Sequence, residues 1–133
     1  MVKTRTILWS VPRSVSTAFE RALVELSYIL EKDNLENMEV FHEPFSKPFY
    51  YSKEKRSNRF NIINDELNYT DTLNLILDSK KDHIFSKDMG YYVSHDLKNL
   101  ISDKINHTFI IRHPCQSSQP FGIIPFSHFN ISG

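Results

Sequence analysis

An α/β fold built around a parallel central sheet is predicted by three features of this sequence. Short β-type runs alternate with helical patterns, an order that implies parallel strands joined by helical crossovers. Of the 133 residues, 40% are hydrophobic and 13% aromatic, enough to fill the core of a single domain. Each predicted strand ends on charged or titratable residues, and ligands of such sheets bind beyond the carboxyl ends of the strands.

The first predicted strand covers residues 6–11, a compact and mostly apolar run closed by Pro12. A helix follows, with Phe19, Leu23, Leu26 and Leu30 at helical spacing and Ala22 and Ile29 on the same side. Thr17 and Glu20 have the spacing of a capping box at its start. Residues 39–42 form a second, shorter strand. Residues 44–69 fit neither period and contain Phe45, Phe49, Tyr50, Tyr51 and a basic stretch, so they read as a lid, a substrate loop or a solvated surface excursion. A helix is expected over 71–81, a strand over 83–86, a short helix over 94–102 and a last strand over 108–111. Beyond Cys115 the composition changes. Pro120, Pro125 and Gly122 oppose the helix that should follow the fourth strand, so 115–133 is expected to be an irregular tail on a domain of residues 1–114. Such an end is what a truncated or alternatively spliced product would show.

Composition excludes several functions. Sixteen basic and sixteen acidic residues balance, which speaks against a protein devoted to gripping nucleic acid. Cys115 is the one cysteine, so the chain has no internal disulfide and no thiol cluster for zinc. The polar N-terminus does not resemble a signal peptide, and no apolar run approaches the roughly 20 residues that span a bilayer. A cytoplasmic protein without a membrane partner is expected.

The turn after the first strand carries the strongest chemical signal. A strand passing through Pro12-Arg13-Ser14-Val15-Ser16-Thr17 into a helix sets backbone N–H groups and hydroxyls at a helix N-terminus, where unsatisfied donors and a partial positive charge attract phosphate. Arg13 adds a fork of donors for phosphate oxygens. The loop lacks the Gly-Lys-Ser/Thr of the nucleoside triphosphatases. The other strand ends are His42-Glu43-Pro44, Lys87-Asp88 and Arg112-His113-Pro114.

The loop resembles the phosphosulfate-binding loop of the sulfotransferases, commonly Pro-Arg/Lys-Ser-Gly-Ser/Thr-Thr, with Val15 where glycine is usual. Phe109-Ile110-Ile111-Arg112-His113-Pro114 resembles the family's second motif, an arginine just after a strand in Arg-x-Pro. The family has a serine eight positions after that arginine, where this chain has Pro120. The resemblance covers residues 6–114. It implies a three-layer αβα architecture of the P-loop NTPase-like type, with the second half of the family's fold missing. It also implies sulfuryl transfer from 3′-phosphoadenosine 5′-phosphosulfate to a hydroxyl or amine acceptor, both small molecules, without a metal. Arg13, Ser14, Val15, Ser16 and Thr17 would then hold the 5′-phosphosulfate and Arg112 the 3′-phosphate.

Such a transfer needs a base for the acceptor's proton. The family's histidine after the third core strand is absent, since that position reads Lys87-Asp88-Met89. Glu43 after the second strand is the first choice, His42 the second and Asp88 the third, while Lys87 would stabilise charge on the leaving phosphate. Two rivals stand beside this reading: a truncated relative that binds a nucleotide without catalysis, and a small-molecule kinase-like protein, against which the missing Gly-Lys-Ser/Thr speaks.

Overall fold

The computed structural model describes residues 3–35, 37–93, 102–113 and 115. The elements are β1 (Thr4–Ser10), α1 (Ser16–Lys32), β2 (Met38–His42), α2 (Ser46–Tyr51), α3 (Tyr69–Leu77), β3 (His83–Met89), a 3₁₀ turn (Gly90–Tyr92) and β4 (Asn106–Phe109). All four strands run parallel in the order β2-β3-β1-β4. The expected α/β class with a parallel sheet is therefore observed. The helix expected over 94–102 falls almost wholly outside the described residues, as does the 115–133 tail apart from Cys115.

Register sorts the side chains into two faces. Thr4 pairs with His83, so Ile7 aligns with Ser86 and Trp9 with Asp88. Partners across a parallel ladder share a face, and successive residues alternate. Ile7, Trp9 and Ile84 thus point to one side, where Ile76 and Tyr69 of α3, Phe45, Tyr92 and Val93 complete the core. Leu8, Phe85 and Lys87 point to the other, and Phe19 of α1 meets Phe85 there at 5.9 Å between ring centroids. Val40 and His42 pair with Phe85 and Lys87, so they lie on the α1 side as well. The helices consequently cover opposite faces of one sheet.

Helix α1 corrects the sequence expectation in two ways. Its apolar stripe does not all turn inward: Phe19, Ala22, Leu26 and Ile29 are exposed, and Ser16 and Glu20 are the buried residues. The capping box is not formed. Val15 occupies the N-cap position with no side-chain cap, and the Glu20 carboxylate reaches His42 instead. Glu20 turns to the sheet, where its carboxylate meets His42, while Phe19 touches Phe85 from a half-exposed position.

The insert after β2 packs against the core at its start and is largely exposed beyond Ser52. It opens with α2, which the sequence reading missed because the helix is under two turns long. The irregular stretch beyond it is tied down by Asn64 N–H to the Tyr51 carbonyl (2.7 Å), Lys55 Nζ to the Phe60 carbonyl (2.7 Å) and the stacked rings of Tyr51 and Phe60. The last strand is observed at Asn106–Phe109, earlier than expected, and Ile111 is exposed. No helix among the described residues is long and apolar enough to cross a membrane.

Candidate functional site

Every strand-end group singled out in the sequence and described in the structure lies at the carboxyl edge of the sheet. The strand order sets them in two adjoining clusters. Arg13 to Thr17 and Arg112 follow β1 and β4. His42, Glu43, Lys87 and Asp88 lie at the ends of β2 and β3.

In the first cluster the chain leaves β1 at Ser10, whose hydroxyl donates to the Asp88 carbonyl (3.0 Å) and fastens the loop's root to β3. Arg13 and Val15 then adopt positive φ values of 63° and 67°. For a β-branched residue this conformation costs on the order of 1–3 kcal/mol. Val15 occupies the position where the resembling loop carries glycine, and it takes the left-handed backbone that glycine adopts freely. The helix N-terminus behind it is open, because no side chain caps it. Ser14 is buried, yet its hydroxyl has no hydrogen-bond partner among the described residues, an arrangement native proteins rarely leave unused. Ser16 is buried beside it and Thr17 is exposed. Arg112 Nη1 donates to the Arg13 carbonyl (2.8 Å), which ties the residue after β4 to the loop after β1.

In the second cluster Lys87 is almost fully buried and forms an ion pair with Glu43 Oε1. Tyr92 donates to the other carboxylate oxygen, Oε2, at 3.2 Å. The Glu43 backbone is held as tightly. Its N–H donates to the Lys87 carbonyl (2.7 Å), its carbonyl accepts from Ser46 N–H and Oγ (3.0 and 2.6 Å), and its φ is 45°. Burial of the Tyr92 hydroxyl, with the Glu43 charge and the Tyr91 hydroxyl beside it, raises its pKa and keeps it a donor. His42 Nδ1 lies 3.0 and 2.8 Å from the two carboxylate oxygens of Glu20.

Asp88 is fully buried, and its two oxygens accept from the backbone N–H groups of Phe45 and Met89, both at 3.1 Å. Burial outweighs those hydrogen bonds and the Lys87 charge, and its pKa is raised from 3.8 to about 8. The folded value lies above the unfolded one. The stability this group contributes is therefore complete below about pH 3.8 and is lost as the pH rises towards 8. Asp88→Asn removes the titration. Urea denaturation across this range should show the variant gaining stability relative to the wild type as the pH increases, and a constant difference would exclude Asp88 as the titrating group.

A pocket of about 500 Å³ opens beside the loop, lined by Trp9, Val11, Gly90, His107, Phe109 and Ile111 among others. Its walls are mainly apolar, and Trp9 is fixed there by Nε1–H donating to His107 Nδ1 (3.0 Å). Among the described residues no group of three His, Cys, Asp or Glu is placed to hold a metal ion.

No family model, curated protein or solved structure matches this chain. Its function is therefore argued from the site.

Two of the site's contributors were not legible as such in the sequence. Glu20 read as half of a capping box, although its place four residues after Ser16 also puts it on the same helix face as the loop's buried serine. Tyr92 carried no signal, because its role depends on the 3₁₀ turn folding back over the end of β2 to reach Glu43.

Proposed function

We propose that this chain is a sulfotransferase-like protein of the P-loop-like αβα type. It binds 3′-phosphoadenosine 5′-phosphosulfate and transfers the sulfuryl group to a hydroxyl or amine acceptor. The observation that carries the reading is the β1–α1 loop. It combines left-handed backbone at Arg13 and Val15, a buried Ser14 hydroxyl with no partner among the described residues, and a helix N-terminus without a side-chain cap. Successive amides in such a conformation form an anion-binding concavity, which the helix dipole reinforces. Arg112, tied to the loop through the Arg13 carbonyl, is the residue that would hold a second phosphate of the same nucleotide. The apolar pocket beside Val11 suits a nucleobase.

In the transfer, a bond forms between the acceptor heteroatom and sulfur while the sulfur–oxygen bond to the 5′-phosphate breaks. The electron pair stays on the phosphate, whose charge is met by Arg13 and the helix N-terminus. The acceptor's proton passes to the cluster of His42 and Glu43. Lys87 is neutralised by Glu43, and that pairing favours a second reading, nucleotide binding without transfer.

Arg13→Ala is expected to weaken binding of adenosine 3′,5′-bisphosphate by roughly ten- to a hundredfold, the loss of a charge-assisted phosphate contact. Calorimetric titration of both proteins tests this. Equal affinities would remove Arg13 from the site, and no binding to the wild type would overturn the nucleotide reading.

A further inference from the structure

We propose that Glu20 and His42 form a carboxylate–imidazole dyad in which His42 Nε2 takes the acceptor's proton and Glu20 is the positioning residue. This assignment rests on the sulfuryl-transfer reading and decides which member of the second cluster does the chemistry.

The other candidates are less suited, by their partners or their burial. Glu43 has one oxygen on the Lys87 ammonium and the other on the Tyr92 hydroxyl, and both contacts stabilise its charged form and lower its basicity. Asp88 accepts two backbone N–H groups and is 0% exposed, so an acceptor molecule cannot reach it. Lys87 is 1% exposed. His42 differs from all three, since 59% of its side chain is open to solvent.

The geometry supplies what a histidine base needs. The Glu20 carboxylate is 10% exposed and lies 2.8 Å from His42 Nδ1 through one oxygen and 3.0 Å through the other. A carboxylate in that position accepts Nδ1–H, selects that tautomer and leaves the lone pair on Nε2. It also stabilises the imidazolium formed once the proton arrives, a role carboxylates play beside histidine bases generally. Nε2 lies 4.0 Å from Glu43 Oε1, beyond hydrogen-bond distance, so its lone pair is not taken up by that acid. Glu20 sits four residues beyond Ser16 on α1, about 6 Å along the axis at 1.5 Å per residue, so the dyad stands one turn from the phosphate-gripping end of the helix. The step is balanced: the acceptor's O–H or N–H bond breaks, its electron pair forms the bond to sulfur, the proton moves to Nε2 and the nucleotide bisphosphate leaves with the other electron pair.

The test uses the whole chain with 3′-phosphoadenosine 5′-phosphosulfate as donor and 4-nitrophenol or water as acceptor. Three readouts are followed: bisphosphate affinity, turnover, and the nitrogen-15 signals of the His42 ring. For Glu20→Gln and His42→Gln, bisphosphate affinity should stay within about twofold and turnover should fall at least tenfold. The ring should carry its proton on Nδ1 in the wild type and lose that preference in Glu20→Gln. Glu20→Asp should restore part of the turnover, which a merely structural role would not require. His42 is exposed, so His42→Gln remains informative even if Glu20→Gln folds poorly. Wild-type turnover in both glutamine variants overturns the dyad while nucleotide binding stands. Bisphosphate binding with no transfer to either acceptor also overturns it. Failure of the wild type to bind the bisphosphate at all overturns the sulfuryl-transfer reading and the dyad with it.

Discussion

Glu43→Ala is expected to lower folding stability by about 3–5 kcal/mol, the cost of leaving a buried charge without its partner. The charge left behind is the Lys87 ammonium, which is 1% exposed near the carboxyl end of β3 and paired with the Glu43 carboxylate. The Tyr92 hydroxyl would lose its acceptor in the same substitution. Combining Glu43→Ala with Lys87→Met should recover most of the loss, because exchanging a buried pair for apolar groups of similar volume is often neutral or stabilising. Chemical denaturation of the single and double variants measures both effects. A single-variant loss below about 1 kcal/mol would mean that Lys87 finds another anion, and would remove Glu43 as the element that fixes it.

Arg5→Met should cost about 3 kcal/mol, although Arg5 lies at the opposite end of β1 from the site. Its guanidinium is buried without a carboxylate. Nη1 donates to the carbonyls of Thr4 (2.8 Å) and Asp82 (3.1 Å), and Nη2 to those of Ser79 (2.8 Å) and Lys81 (3.0 Å). Three of these acceptors belong to the turn joining α3 to β3, which Thr4 N–H also engages through the Asp82 carbonyl (2.9 Å). The guanidinium thereby holds the turn against the start of β1 and supports the register that pairs Thr4 with His83. Methionine fills comparable volume and supplies no donor, so all four carbonyls lose the guanidinium and, of the three in the turn, Asp82 keeps its bond from Thr4 N–H. Arg5→Lys should recover less than half, because a single ammonium cannot reproduce the fork. Denaturation midpoints of the two variants check this, and equal stability of Arg5→Met and the wild type would show that water replaces the guanidinium without cost.

The parts of the fold that could be read in advance are those where local pattern and tertiary need agree. Thr6 to Ser10 and the run beginning at His83 are apolar enough to be strands wherever they sit, and both are central in the sheet. The strand-to-helix turn from Pro12 to Thr17 was legible because its path depends on consecutive residues, and the structure has α1 begin at Ser16 directly after it. Helix α1 could be recognised but its orientation could not. Its apolar periodicity favours Phe19, Leu26 and Ile29 as the inward face, yet the Glu20–His42 contact draws a polar residue to the sheet.

The α/β order, the parallel connections and the charged groups at the strand ends follow from hydrophobic period, proline placement and chain order, all of which can be read along the chain. How those groups pair emerges from the folded arrangement. Lys87 and Glu43 lie 44 residues apart, and His42 and Glu20 22 apart. They meet because β3 lies between β1 and β2 and because α1 packs on the His42 side of the sheet. Neither condition is encoded in any window of sequence that contains both partners. The physical reason is that an ion pair between distant segments depends on strand order and helix face, which are set by burial across the whole domain, whereas a helix cap or an apolar strand depends on a few consecutive residues.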